Sequence, residues 1–341
     1  MSESIHKRKS EHIQIVLNEK VTGDEITTGF ESVRFLHNAL PEIDFNEIDT
    51  RTNFFGIPQK TPLMISSMTG GAELAEQINR NLAIAAEERG WILALGSSRA
   101  LIESSEYHTS FQLRKYAKTT PIIANLGAVQ LNYGFTVDEC RQIIEITEAN
   151  ALVLHLNSLQ EVIQPNGDTN FKNLLPKIEQ LCSKLAVPVG VKEVGWGIDG
   201  KVAKSLVDSG IAFIDVAGAG GTSWSQVEMF RSKDIIRKTA AQCFSNWGIP
   251  TVHSILSVRS EISSTPVIAS GGIKTGLDVA KSLAIGANFA GLGRSLLKEA
   301  TESPEALLQL MDIRELELKM AMFAIGARTI EELRNTDRVI Y

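Results

Sequence analysis

The chain has 341 residues, 43% of them hydrophobic and 22% charged, and a formal net charge of −6. That composition supports a large core and excludes wholesale disorder. The acidic balance argues against nucleic acid as a partner, while leaving room for a small anion held by a local basic cluster.

Met1–Ser10 is polar and charged, unlike a secretory signal, and no apolar run approaches the roughly 20 residues that cross a bilayer. A cytoplasmic protein with no membrane partner is expected. Cys140, Cys182 and Cys243 are widely spaced in no metal-ligand pattern, which reads as packing cysteines in a reducing compartment.

Residues 1–60 read as an N-terminal extension, rich in charge. Lys7, Arg8, Lys9 and His12 form a basic cluster there, either a solvated tail or an arm that clamps an anion. Residues 61–341 follow a different rhythm, in which a short apolar run ends in Gly, Ser, Asn or His and an amphipathic stretch follows. The runs are Pro62–Ser67, Ile92–Gly96, Pro121–Leu126, Ala151–Asn157, Pro188–Glu193, Phe213–Ala217, Pro266–Ser270 and Phe289–Gly293. Short, nearly continuous apolar runs predict parallel strands buried on both faces.

Between them, Ala72–Arg89, Val137–Ala149, Val202–Ser209, Gly276–Ile285 and Leu296–Glu299 carry helical spacing. Eight β-α repeats predict an α/β chain closed into a (β/α)8 TIM barrel, with an open doubly wound sheet as the alternative. Thr222–Ile249 is too long for a minimal loop and is expected to cover the barrel mouth or hold a helix. Pro304–Tyr341 reads as C-terminal helices.

Active sites of such barrels sit at the C-terminal strand ends, and polar residues gather there. The glycines of Ala269–Ile273 and Gly291–Arg294 let backbone N–H groups approach a phosphate, the usual phosphate position of the fold. Gly218–Thr222 adds a third glycine loop. Lys192 ends a buried strand and needs an anionic partner or a lowered pKa, the plainer partner being Glu193 or another strand-end acid. His155 and Asn157, two apart on a strand, share a face, and Gln160 and Glu161 open the next loop. A lone carboxylate such as Glu161 suits Mg²⁺, which takes few protein ligands beside phosphates and water. Helix entry is the plainer use for Glu161, and a backbone-bonded core histidine the plainer use for His155.

Taken together, Arg8-Lys9-x-x-His12, Met68-Thr69-Gly70-Gly71, Gly96-Ser97-x-Arg99, Asn125-Leu126-Gly127-Ala128, His155-x-Asn157-x-x-Gln160-Glu161, Gln164-Pro165-x-Gly167-Asp168, Val191-Lys192-Glu193-Val194-Gly195, Gly220-Gly221-Thr222 and Ser270-Gly271-Gly272 resemble the type 2 isopentenyl diphosphate isomerases in order and content. The resemblance implies an FMN site of Ser67, Met68, Thr69, Ser97, Asn125, Lys192, Thr222, Gly271, Gly272, Ile273, Gly293 and Arg294. It implies substrate contacts from Arg8, Lys9, Ser97, Ser98, Arg99, His155, Asn157 and Gln160. The last three are the catalytic candidates, and Glu161 is the Mg²⁺ ligand. Three positions depart from the family pattern: Ser98 where Gln is usual, Asn166 where Glu is common and Ala217 where Ser is frequent.

The implied reaction interconverts isopentenyl and dimethylallyl diphosphate through reduced FMN, with NADPH needed only to reduce the flavin. An FMN oxidoreductase on the same barrel is the alternative. A homo-oligomer, tetramer or octamer, is also implied.

Overall fold

The structure, a computed structural model, describes residues 5–68 and 73–341. The leading part contains α1 (Ile5–Asn18), β1 (Arg34–Phe35), β2 (Thr52–Phe54) and β3 (Ile57–Gln59). Then come β4 (Leu63–Ile65), α2 (Glu73–Arg89), β5 (Ile92–Ala94), α3 (Arg99–Glu103), α4 (His108–Phe111), β6 (Ile122–Gly127), α5 (Val137–Thr147) and β7 (Ala151–Leu156). The middle continues with α6 (Ser158–Ile163), α7 (Leu174–Lys184), β8 (Val189–Glu193), α8 (Gly200–Asp208), β9 (Phe213–Asp215), α9 (Trp224–Arg231), α10 (Ile235–Gln242) and α11 (Thr251–Glu261). The chain ends through β10 (Val267–Ala269), α12 (Gly276–Ala284), β11 (Phe289–Leu292), α13 (Arg294–Glu302), α14 (Pro304–Ile325), α15 (Ile330–Arg334) and β12 (Val339–Ile340).

Strands β4 to β11 are parallel and close into one barrel in chain order. Seven of them lie inside a predicted run, and β6 overruns Pro121–Leu126 by one residue, Gly127. Pairing of β11 with β4, through Ala290 opposite Leu63 and Leu292 opposite Ile65, excludes the open sheet. Helix ends follow local chemistry. Thr136 and Glu139 form a reciprocal capping box at the start of α5, and Thr275 and Asp278 do the same for α12.

Alternation along the strands sorts the interior into layers. Met64, Ile92, Ala94, Ile123, Val153, Phe213, Ile268 and Phe289 form one cluster inside the barrel, joined from below by Phe54. Outward residues such as Ile65, Leu93, Ala124, Leu154, Val191 and Ile214 pack against the helices. Two residues beyond the inner apolar layer, the same period brings Ser66, Gly96, Asn125, His155, Lys192, Asp215 and Ser270 inward. The barrel is therefore greasy at its floor and polar at its top. Gly190 keeps the inner layer closed, because a Cβ there would stand 2.2 Å from the Phe213 ring.

Two features were not foreseen. The β2–β3 hairpin inserts Phe54, 2% exposed, against Phe213 and Phe289 and seals the floor. The chain's end, expected to be helical throughout, finishes instead as β12, because Arg34 and Phe35 present a strand edge to Ile340 and Val339. The long segment after β9 does hold helices, α9 and α10.

Candidate active site

The C-terminal strand ends surround a cavity of about 670 Å³. Most of the expected residues line it: Ser67, Met68, Ser97, Arg99, Asn125, His155, Asn157, Gln160, Glu161, Lys192, Thr222, Gly271, Gly272, Ile273, Gly293 and Arg294. Arg8, Lys9 and His12 reach it from α1, so the basic segment is a helix laid at the mouth. Thr69 lies outside the described residues. Ser98 is the exception among the rest. It is fully buried and its hydroxyl donates to the Gly96 carbonyl at 3.5 Å, away from the cavity wall.

Strand register sets the base of the site, pairing Gly127 with His155, His155 with Lys192 and Lys192 with Asp215 on successive strands. The Asn125 amide donates to the Leu95 carbonyl at 3.2 Å and turns its oxygen to His155 Nδ1 at 2.8 Å. His155 therefore carries its proton on Nδ1 and leaves Nε2 as an acceptor. Burial, aided by the Lys192 charge, lowers its pKa to about 3, so the ring is neutral at physiological pH. Lys192 donates from Nζ to the Glu193 carbonyl at 2.5 Å. The Glu193 carboxylate accepts instead from the backbone N–H groups of Val194, Gly195 and Trp196, fixing the loop after β8.

Just beyond β7, at the start of α6, Glu161 is held by three donors. The Asn157 amide reaches Oε1 at 2.8 Å, while the Gln164 amide and the Asp168 N–H each reach Oε2 at 2.7 Å. Asp168 also takes Arg99 at 2.6 Å and Gln130 at 3.1 Å. The intervening turn runs through Asn166 at φ +58°, closed by Gly167 N–H to the Gln164 carbonyl at 3.3 Å. Asparagine tolerates that left-handed conformation better than glutamate, which accounts for this departure.

Glu228 on α9 has no expected role in the sequence, yet it joins the site together. Its side chain is fully buried and meets His12 Nε2 at 3.0 Å, the Gln160 amide at 3.1 Å and Arg231 at 2.5 Å. Burial opposes its charge, but the His12 hydrogen bond and the Arg231 guanidinium outweigh burial and hold its pKa at about 2. Burial lowers the pKa of His12, against the opposing pull of the Glu228 carboxylate. Glu228 lies in a segment without a recognisable motif. A buried acid on an amphipathic helix was the sole signal, and periodicity does not distinguish it from a surface acid.

An eight-stranded parallel barrel with glycine loops at its seventh and eighth strand ends and a buried lysine on its fifth defines a scaffold of the FMN-dependent class. The FMN-dependent dehydrogenase family matches residues 1–118 and 128–339. An isopentenyl-diphosphate delta-isomerase of Oceanobacillus iheyensis is 57% identical, covering 99% of this chain and 97% of that one. Those of Rickettsia felis and Nostoc sp. are each 46% identical, covering 97% and 98% of this chain and 96% of each relative. The chain belongs to the isopentenyl-diphosphate delta-isomerase family, within the FMN-dependent dehydrogenases.

Solved structures share the fold at low identity. A flavocytochrome b2 variant with sulfite bound has TM-score 0.72 and 16% identity, covering 96% of this chain and 82% of that one. A mandelate oxidase variant with a monooxide FMN adduct has TM-score 0.63 and 18% identity, covering 92% and 88%.

Proposed function

We propose that the chain interconverts isopentenyl diphosphate and dimethylallyl diphosphate, using reduced FMN and Mg²⁺, with NADPH as the reductant that primes the flavin. The observation that carries this reading is the cavity wall: Glu161 is its one carboxylate among the described lining residues. Among the described lining residues it has no second acid with which to trade protons, and His155 is neutral there.

The wall fits FMN. Ser66 Oγ and Ser67 Oγ are buried with no partner and are ready to donate to a bound group. Gly221 and Gly272 approach so closely that a Cβ on Gly221 would stand 2.4 Å from the Gly272 nitrogen, so the loop backbones themselves form the cradle. Ser67, Met68, Thr69, Ser97, Asn125, Thr222, Gly271, Gly272, Ile273, Gly293 and Arg294 would hold the cofactor, with Lys192 at its anionic edge. When bound, the reduced ring supplies an electron-rich surface that stabilises cationic character and the acid and base functions of the allylic shift.

The wall also fits Mg²⁺. Asn157 Oδ1 and Gln130 Oε1 are buried without partners near the Glu161 network, giving a hard, all-oxygen donor set for a hydrated ion. Arg8, Lys9 and Arg99 bind the diphosphate. Burial beside Arg8 lowers the Lys9 pKa to about 8, still mostly charged at neutral pH. Gln160, its amide N–H committed to Glu228, keeps a fixed orientation beside the five-carbon chain. Helix α1 excludes water from the mouth.

The test is an anaerobic assay of dimethylallyl product against NADPH consumed. Many turnovers per reducing equivalent are expected. One NADPH per turnover would favour the second reading, an FMN oxidoreductase, which the wider family's description supports. Lys192→Ala is expected to cost about 2 kcal/mol of FMN affinity by removing a buried charge from the cofactor's edge. Fluorescence titration of the apoprotein measures it, and unchanged affinity removes Lys192 from the flavin site.

A further inference from the structure

The polar layer inside the barrel carries one acid that the proposed chemistry leaves without a task. Asp215, 3% exposed, ends β9 two residues beyond Phe213 and so points inward above it. It stands in register with Lys192 on β8 and is flanked on its other side by β10. Its Oδ1 accepts from Ser270 Oγ at 2.6 Å and from the Ala217 N–H at 3.2 Å. Lys192, Ala217 and Ser270 all line the cavity; Asp215 bonds to Ala217 and Ser270 and lies in register with Lys192.

Ala217 adopts φ +38°, a left-handed conformation that alanine enters only under constraint. Its N–H bond to Asp215 supplies that constraint. Two donors converging on one carboxylate oxygen favour the ionised acid. Burial is the largest influence and leaves the Asp215 pKa above its ordinary value, opposed by the Lys192 charge and the two hydrogen bonds.

We propose that Asp215 is a positioning residue for the flavin: as the buried counter-charge of Lys192 it moderates the positive field offered to the ring, and it clamps Ala217 and Ser270 against it. This rests on the reading that the cavity holds FMN. The sign follows from electrostatics. A reduced flavin bears more negative charge than an oxidised one, and an anion one strand from Lys192 opposes that gain. Neutralising Asp215 therefore makes the bound flavin easier to reduce.

The experiment measures the midpoint potential of FMN in the reconstituted holoprotein by anaerobic dye equilibration. Asp215→Asn, which keeps the shape and loses the charge, is expected to move the potential to more positive values with FMN still bound. Asp215→Ser serves the same purpose should the first variant not fold. In a Lys192→Gln background loaded with excess FMN, the shift is expected to shrink. A potential equal to wild type in both neutral variants overturns the proposal. So does a fall in melting temperature or FMN occupancy with the potential of the remaining bound flavin unmoved, since packing alone would produce that. Wild-type protein is assayed in parallel. If it binds FMN but does not isomerise, the reading of the reaction fails while the potential still decides the role of Asp215.

Discussion

Glu161→Gln is expected to leave the protein yellow and nearly inactive. The substitution keeps the volume of a residue that is 8% exposed, so the barrel and its glycine loops stay intact. The charge proposed to meet Mg²⁺ is lost. The new amide N–H₂ also faces groups that already donate, the Gln164 amide and the Asp168 N–H, so the side chain turns or loses bonds. A fall in kcat/KM of about a hundredfold or more is expected, roughly 2.7 kcal/mol at 1.36 kcal/mol per decade. Titration of diphosphate binding with Mg²⁺ should flatten, while the visible flavin spectrum matches wild type. Loss of the flavin with metal dependence preserved would move Glu161 to the other ligand.

Glu228→Ala is expected to have the largest effect on stability. Arg231, its side chain 4% exposed, keeps the Glu11 carboxylate at 3.2 Å but loses its closer anion. Removing one partner from a buried charge pair costs about 3–5 kcal/mol. His12 and Gln160 lose their shared acceptor in the same stroke, so activity falls along with stability. Urea unfolding and steady-state kinetics on one preparation check both. A variant as stable as wild type would mean that water takes the place of the carboxylate.

Glu228→Gln gives the pH signature. The native carboxyl titrates at about 2, below its ordinary value of 4.5. Its contribution is therefore fully present above about pH 4.5 and lost as pH falls through about 2. The stability gap between wild type and Glu228→Gln should be constant near neutrality and close over that acid window.

The fold was readable because buried parallel strands leave few alternatives: each apolar run, such as Ala151–Asn157, is too short for a helix and ends in site residues. The same runs carried His155, Asn157 and Lys192 inward by alternation alone. Glu228 and Asp215 were not readable in the same way. Glu228 acquires its role only when α9 packs beside α1 and α6, contacts that join residues 12, 160 and 228 across the chain. Asp215 sits within a run called a strand, but its partner Ser270 is 55 residues away and local pattern does not choose it. Ser98 is drawn off the cavity lining for a local reason, since its short hydroxyl bonds the Gly96 carbonyl two residues back. The β12 pairing was hidden because two residues make too brief a run to show a period.

With Phe54 stopping the lower end of the barrel, the cavity lies at the upper end, where Arg8, Lys9 and His12 of α1 line it. Under the proposed reaction, a nicotinamide donor and an isoprenoid would queue for the same threshold. A crowd of substrate should delay the reloading of electrons, so the enzyme is best primed before it is fed.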